Sequence, residues 1–229
     1  MDPRRLFVDQ RLIGMCVYCG GEPETRDHVP SRCLLDEPYP CNLPVVDCCR
    51  SCNQRFSLDE QYVACFLDCV ISGSTKPENM RRPKVARMLR DNPELAARIE
   101  KSRMNSSGAE IAWDPDHGRI RNVILKLARG HAAFELSVDT QIEEPASIAC
   151  LPLPTLDIDK IEEFARPIGS RLWPENGSRA FIRKCKEPSG EDDWRMVQSG
   201  RYQYLVSQAD GLLVRMLLSD YLACEVRWG

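Results

Sequence analysis

The stretch that decides the fold runs from Cys16-Val17-Tyr18-Cys19, through Thr25-Arg26-Asp27-His28-Val29-Pro30 and Asn42-Leu43, to Cys49-Arg50-Ser51-Cys52-Asn53. Each Cys-x-x-Cys knuckle puts two thiols on one tight turn, and two such turns complete a tetrahedral four-sulfur site of the kind that zinc takes. Cys48 is an alternative to Cys49 as fourth ligand, although Cys49 has the better knuckle spacing to Cys52. Cys19 and Cys49 have 29 residues between them, more than a simple zinc ribbon holds, so something is built into the gap. As a metal signal the paired knuckles are strong. Taken alone, they hold a small module together and do no chemistry.

The surrounding composition agrees with metal binding. Of the twelve cysteines, seven (Cys16, Cys19, Cys33, Cys41, Cys48, Cys49, Cys52) fall between positions 16 and 52. The first ten residues, MDPRRLFVDQ, lack the apolar run of a secretory signal, and no apolar stretch is long enough to span a membrane. The expected location is therefore cytoplasmic, where thiols stay reduced and bind metal. A hydrophobic fraction of 43% and a charged fraction of 28% are those of an ordinary globular protein able to bury a core. The formal net charge of −3 excludes a protein coated in basic surface. Between Lys76 and His131, however, thirteen Lys and Arg face seven acids. This is the stretch expected to touch nucleic acid, the alternative being solvated helix faces.

An Asp-His followed by x-Pro, then an Asn-Leu, then a Cys-x-x-Cys-Asn, all between and after zinc knuckles, resembles the HNH endonucleases, in particular their zinc-containing ββα-metal branch. The resemblance covers residues ~14–60, about a quarter of the chain. It implies a DNA endonuclease in which Asp27 and Asn53 hold one Mg²⁺ or Mn²⁺ ion, His28 is the general base and Asn42 orients the loop without ligating metal. It also implies that Cys16, Cys19, Cys49 and Cys52 hold a structural zinc. Arg50 and Arg55, near the start of the module's helix, are the expected phosphate contacts. The residue types suit phosphodiester hydrolysis, since hard cations prefer oxygen donors and an imidazole with a pKa near 6.5 takes a proton from water at neutral pH. In a regular strand, adjacent Asp27 and His28 point to opposite faces unless the backbone bends there. Pro44 fits a two-stranded ribbon only at an unpaired position.

Three alternatives accompany this reading. A non-catalytic zinc-binding module for nucleic acid or a protein partner needs no Asp27-His28-Asn53 triad. RNA is a possible substrate, because the same chemistry cleaves either backbone. A homodimer suits double-strand cleavage, and further protein partners are unknown.

Outside the motif, the expected architecture is α+β: a zinc-braced ββα-metal head (residues 1–73), then a helical middle and a C-terminal antiparallel sheet (residues 74–229). A helical pattern sets in at Phe56, with Ser57 and Glu60 as a capping box, and ends at Ser72-Gly73-Ser74. Short helices are expected after Pro83 and from Pro93, a loop over Met104–Gly108, and a longer helix over Ile120–Phe134. His117 reads as a solvated loop residue, His131 as structural, and Cys65 and Cys69 as core. Four strands are expected at Trp194–Val197, Tyr202–Val206, Leu212–Leu218 and Leu222–Trp228, parted by turn residues. Trp173, Trp194 and Trp228 read as core or strand packing.

Overall fold

The computed structural model describes residues 14–104, 112–138, 143–169, 173–186, 191–192, 194–209 and 211–229. In chain order the strands are β1 (Thr25–His28), β2 (Val45–Cys48), β3 (Arg103–Met104), β4 (Ala112–Trp113), β5 (Ser147–Pro152), β6 (Ile168–Gly169), β7 (Glu191–Asp192), β8 (Arg195–Gln198), β9 (Tyr202–Ser207), β10 (Leu212–Leu218) and β11 (Leu222–Trp228). The α-helices are α1 (Arg50–Ser72), α2 (Pro83–Asp91), α3 (Pro93–Lys101), α4 (His117–Leu136), α5 (Ile158–Ala165) and α6 (Arg179–Lys186). The fold is α+β, as expected. No helix among the described residues is long and apolar enough to cross a membrane. Contacts divide the chain into two compact units, residues 1–55 with 124–229, and residues 56–123. The expected loop beyond Met104 lies outside the described residues.

The first unit holds the knuckles, the β1–β2 hairpin and the large sheet. The sheet has five antiparallel strands in the order β5-β11-β10-β9-β8. Four are the expected meander, and the fifth, β5, adds to the far edge by pairing with β11. No strand is expected there from sequence. Ser-Ile-Ala-Cys-Leu-Pro alternates only weakly, and it is held by a neighbour 74 residues away at Cys150↔Cys224. Register puts Tyr202, Tyr204 and Val206 on one face with Val214, Met216, Leu218, Leu222, Cys224 and Val226. The C-terminal half of α4 covers this face, where His131 stacks on Tyr204 with ring centroids 3.7 Å apart. The opposite face carries Arg215, whose guanidinium donates to Glu225 and to the carbonyls of Glu163 and Phe164 at α5. Gly211 closes the β9–β10 turn at φ +81°, and a Cβ there would lie 2.5 Å from the Trp228 carbonyl oxygen. Only glycine fits.

The second unit is built on the remainder of α1, with α2, α3 and the first residues of α4. Tyr62, Val63, Cys65, Phe66 and Cys69 of α1 are buried with Val85, Leu89, Ile99, Ile120 and Val123. Both short helices start with proline, which suits the first turn because its missing N–H would have no partner there. Asn92 caps α3 by accepting from the Leu95 N–H at 3.1 Å. Helix α1 begins at Arg50, where the family resemblance puts the start of the module's helix, seven residues before the capping box read at Ser57. The zinc knuckle feeds directly into it, so Ser57 is a mid-helix residue rather than a cap. His117 is the first residue of α4 rather than a loop residue, though it is exposed as expected and faces Asp114 at 3.3 Å. Trp228 is buried in β11, whereas Trp173 is 65% exposed, contrary to the core role expected for it.

His131 sets a pH dependence for the first unit. It is fully buried, its Nε2 lies 2.8 Å from the Tyr202 hydroxyl, and its Nδ1 has no hydrogen-bond partner. A second proton would add an unpaired N–H and a charge to an apolar interior, so burial pushes the imidazole pKa down to about 3. The unfolded chain therefore binds a proton near pH 6.5 that the folded chain refuses. The His131 contribution to stability is whole above that pH and is lost progressively as pH falls toward 3. We expect urea midpoints measured at pH 7.5 and pH 5.0 to differ more for the wild type than for His131→Gln. Equal pH sensitivity in the two proteins would remove His131 from the account.

Candidate metal centre and hairpin site

The four knuckle sulfurs converge. Cys16, Cys19, Cys49 and Cys52 place their Sγ atoms all within 4.8 Å of one another, with Cys19 and Cys49 at 3.8 Å. A regular tetrahedron with Zn–S bonds of ~2.3 Å has edges of about 3.8 Å, so the cluster can bind a metal ion such as zinc. Among the described residues this is the group of three or more His, Cys, Asp or Glu side chains that can do so. Local hydrogen bonds shape the turns: the Cys19 and Gly20 N–H groups donate to the Cys16 carbonyl, and the Cys52 N–H donates to Cys49 Sγ at 3.3 Å. That last bond lowers the Cys49 pKa, whereas burial raises those of Cys16 and Cys52. A cation at the centre of the four sulfurs favours the thiolates that burial alone opposes. The choice between Cys48 and Cys49 is settled by geometry. Cys48 ends β2 fully buried, 3.2 Å from Thr25 Oγ1, and burial pushes its thiol up to about 11.

The hairpin carries the other motif residues. Thr25 pairs with Cys48 and His28 with Val45, and the Val29 N–H extends the pairing to the Pro44 carbonyl at 2.9 Å. Pro44 thus stands just outside β2, contributing a carbonyl where no N–H is needed. Strand alternation places Thr25 and Asp27 on one face and Arg26 and His28 on the other. Asn53, in the first turn of α1, donates through Nδ2 to Thr25 Oγ1 at 3.3 Å, on the Asp27 side. Asp27 and Asn53 therefore share a face of β1, and the half-buried His28 stands on the reverse face at the strand's end.

Asp27 has partners that its sequence neighbourhood does not announce. Its Oδ2 accepts from the Tyr18 hydroxyl at 2.8 Å and lies 2.6 Å from Lys126 Nζ. Lys126, on α4, is 1% exposed and also donates to Ser31 Oγ at 2.9 Å. Its one signal in the sequence is a lone charge in the apolar run Val123-Ile124-Leu125-Lys126-Leu127-Ala128. Helix α4 approaches so closely because residue 130 is glycine: a Cβ there would meet Val29 Cγ2 at 2.6 Å. Asn42 is exposed and lines a cavity of about 550 Å³ with α6 and β8, a setting that the motif alone does not suggest. Arg50 is exposed, with its N–H donating to Glu24 and its guanidinium 4.0 Å from the same carboxylate. Arg55 is also exposed, on the next turn of α1.

A divalent cation at Asp27 and Asn53 would find two oxygen donors. Tyr18 and Lys126 engage Asp27 at Oδ2, the carboxylate has a second oxygen in Oδ1, and the carbonyl branch of the Asn53 amide keeps its acceptor capacity. Mg²⁺ is commonly held by one or two protein oxygens, with water and substrate phosphate completing the shell, so the donor chemistry fits. Lys126 already supplies one positive charge to the same carboxylate, which weakens the attraction for a second cation.

Scanned against family models, curated proteins and solved structures, the chain matches none.

We expect the purified protein to carry one zinc per chain by elemental analysis, and Cys52→Ser to lose it with a lower melting temperature. Full zinc retention in that variant would mean that the knuckles are not the site. Lys126→Met leaves the Asp27 charge buried without its cation, which should cost about 3–5 kcal/mol in urea denaturation. Combining it with Asp27→Asn should recover much of that loss, and purely additive losses would show that the pair is not coupled.

Proposed function

We propose that the chain is an HNH-type endonuclease that hydrolyses phosphodiester bonds in DNA. The observation that carries the reading is that Asp27-His28 and Asn53 sit on one strand–strand–helix frame clasped at its root by four cysteines. A clasp of this kind holds a short hairpin and a helix start rigid, which catalytic groups require.

In this reading Asp27 Oδ1 and the Asn53 carbonyl oxygen hold a Mg²⁺ or Mn²⁺ ion, which supplies charge neutralisation at the scissile phosphate when bound. His28 is the general base in this reading. Because it stands on the reverse face from Asp27 and Asn53, the attacking water that it deprotonates would have to sit at the end of β1, where the strand stops. Tyr18 and Lys126 fix the Asp27 carboxylate in one orientation through Oδ2, and Oδ1 serves for ligation. Exposed Arg50 and Arg55, on the first turns of α1, approach the backbone phosphates. DNA is the expected substrate and RNA the secondary one. A homodimer, or two successive nicks, accounts for cleavage of both strands.

A second reading is favoured by one observation. Lys126 satisfies the Asp27 charge with a protein cation, as in a zinc-binding interaction module that does no chemistry.

The test is cleavage of supercoiled plasmid with Mg²⁺ or Mn²⁺, by wild type and His28→Ala, with zinc content and circular dichroism measured on both. We expect relaxed or linear product from the wild type and a loss of about 10²–10⁴-fold in the variant. A wild type inert on plasmid, single-stranded DNA and RNA favours the interaction module. Equal rates in wild type and variant would remove His28 as base.

A further inference from the structure

We propose that the cavity formed by α6, β8 and the Asn42–Pro44 turn is a binding site for a phosphate-bearing nucleotide unit. It lies in the first unit, and its volume of about 550 Å³ falls within the range of small-molecule sites. The assignment rests on the cavity itself. The nuclease reading enters only in suggesting that the unit belongs to a substrate strand.

The lining is selective for anions. Among the described residues, Arg179, Arg183, Lys186 and Arg195 contribute to it and no Asp or Glu does. In a chain of net charge −3, four cations around one concavity are a strong local departure. Three of them follow from helix geometry: positions 179, 183 and 186 of α6 are spaced so that one face of the helix turns into the cavity. Glu135 stands behind this wall, ion-paired with Arg183 and accepting from the Tyr204 hydroxyl. It offsets one charge and orients the guanidinium, whose fork geometry matches phosphate oxygens. The Arg179 guanidinium lies 4.0 Å from the centre of the Phe134 ring, which holds it flat against an aromatic face.

The remaining lining distinguishes a nucleotide from a bare phosphate. Trp194 supplies half-exposed aromatic surface, whereas Phe134 is packed against Arg179 and Tyr204 is buried with its ring stacked on His131. Trp194 is fixed through Nε1, which donates to the Ala165 carbonyl at 2.9 Å. Planar apolar surface beside forked cations is what a base with its attached phosphate requires. The cavity also adjoins the hairpin, because Pro44, one of its walls, accepts from the N–H of Val29, the residue after His28. A strand with one phosphate in the cavity would run beside the end of β1.

The experiment is fluorescence anisotropy with a labelled single-stranded oligonucleotide and full-length protein, without added divalent cation. Wild type is compared with Lys186→Glu/Arg195→Glu, and with a charge-matched control away from the cavity. The control that carries the comparison is Lys160→Glu/Arg227→Glu, two exposed cations outside the cavity and outside residues 76–131. We expect about tenfold or greater loss of affinity in the cavity variant, a salt slope shallower by roughly one, and little change in this control. Should the double variant fold poorly by circular dichroism, Lys186→Gln, at an exposed position, should still weaken binding severalfold. Adenosine monophosphate and inorganic phosphate serve as competitors. Displacement by the mononucleotide alone identifies a free nucleotide as occupant, and displacement only by longer strands identifies a nucleic-acid segment. Displacement by inorganic phosphate at the same concentration as the mononucleotide overturns the nucleotide assignment. So does wild-type binding that the cavity variants leave unchanged, or that the control lowers equally, or no binding of any probe. A wild type that binds through the cavity and never cleaves defeats the nuclease reading alone. One that cleaves with binding indifferent to the cavity defeats this proposal alone.

Discussion

The contact on which the first unit depends is the ion pair between Asp27 and Lys126, buried between a four-residue strand and a long helix. Neither charge is tolerable alone at that depth, because an unpaired buried ion costs several kcal/mol. The pair is therefore an address as much as an attraction. It fixes which residue of α4 meets which residue of β1. Tyr18 and Ser31 complete the hydrogen bonding of the two groups, so the knuckle, the strand and the turn beyond it are tied to one ammonium. Gly130, one helical turn on, admits the backbone approach that the short ion pair needs.

The same helix reaches the sheet. Just past Gly130, His131 and Glu135 engage Tyr202 and Tyr204 of β9, and Glu135 in turn holds Arg183 of α6. A hairpin as short as β1–β2 is marginal in water, and here it gains rigidity from two sides. The four-cysteine cluster clasps one end, and α4 with its charge pair presses on its face. A second tie runs through the loop after β1, where Asp36 exchanges hydrogen bonds with Gln198 and pairs with Arg201. The site is thus supported by groups far away in sequence.

That distance explains which features the sequence disclosed. The knuckles, the Asp27-His28 strand, the prolines that start α2 and α3, and the meander β8–β11 are local patterns, and each is readable from a window of a few residues. The start of α1 at Arg50 agrees with the family resemblance, whereas the helical pattern alone puts it late, because Ser57-x-x-Glu60 imitates a capping box while the helix already runs from the knuckle. Strand β5 is not legible because its partner lies at the other end of the chain, and an edge strand needs little pattern of its own. Lys126 is visible only as an oddity in an apolar run. No spacing rule connects it to a carboxylate 99 positions earlier. Likewise the exposed Trp173 shows that a large aromatic side chain is a weak guide to burial when its segment has no clear period.

The electrostatics of the unit carry one tension. At the hairpin face, Lys126 neutralises Asp27, so a divalent ion arriving there meets a carboxylate whose charge is already shared. On the far side of the Asn42–Pro44 turn, four cations and, among the described residues, no acid line a cavity. Under the two proposals, a polyanionic ligand would resolve both imbalances together. Its phosphates are drawn by the cavity, where field lines concentrate in a concave, low-dielectric wall. Its backbone also brings oxygen donors to the hairpin, raising the ligand count for a hard cation above what Asp27 and Asn53 offer alone. Metal and substrate would then bind cooperatively, each strengthening the site for the other. The buried lysine disfavours the ion in the absence of the strand. In this arrangement Lys126 does not oppose metal-dependent chemistry. Under the proposed nuclease reading, it would make loading of the cation conditional on the substrate.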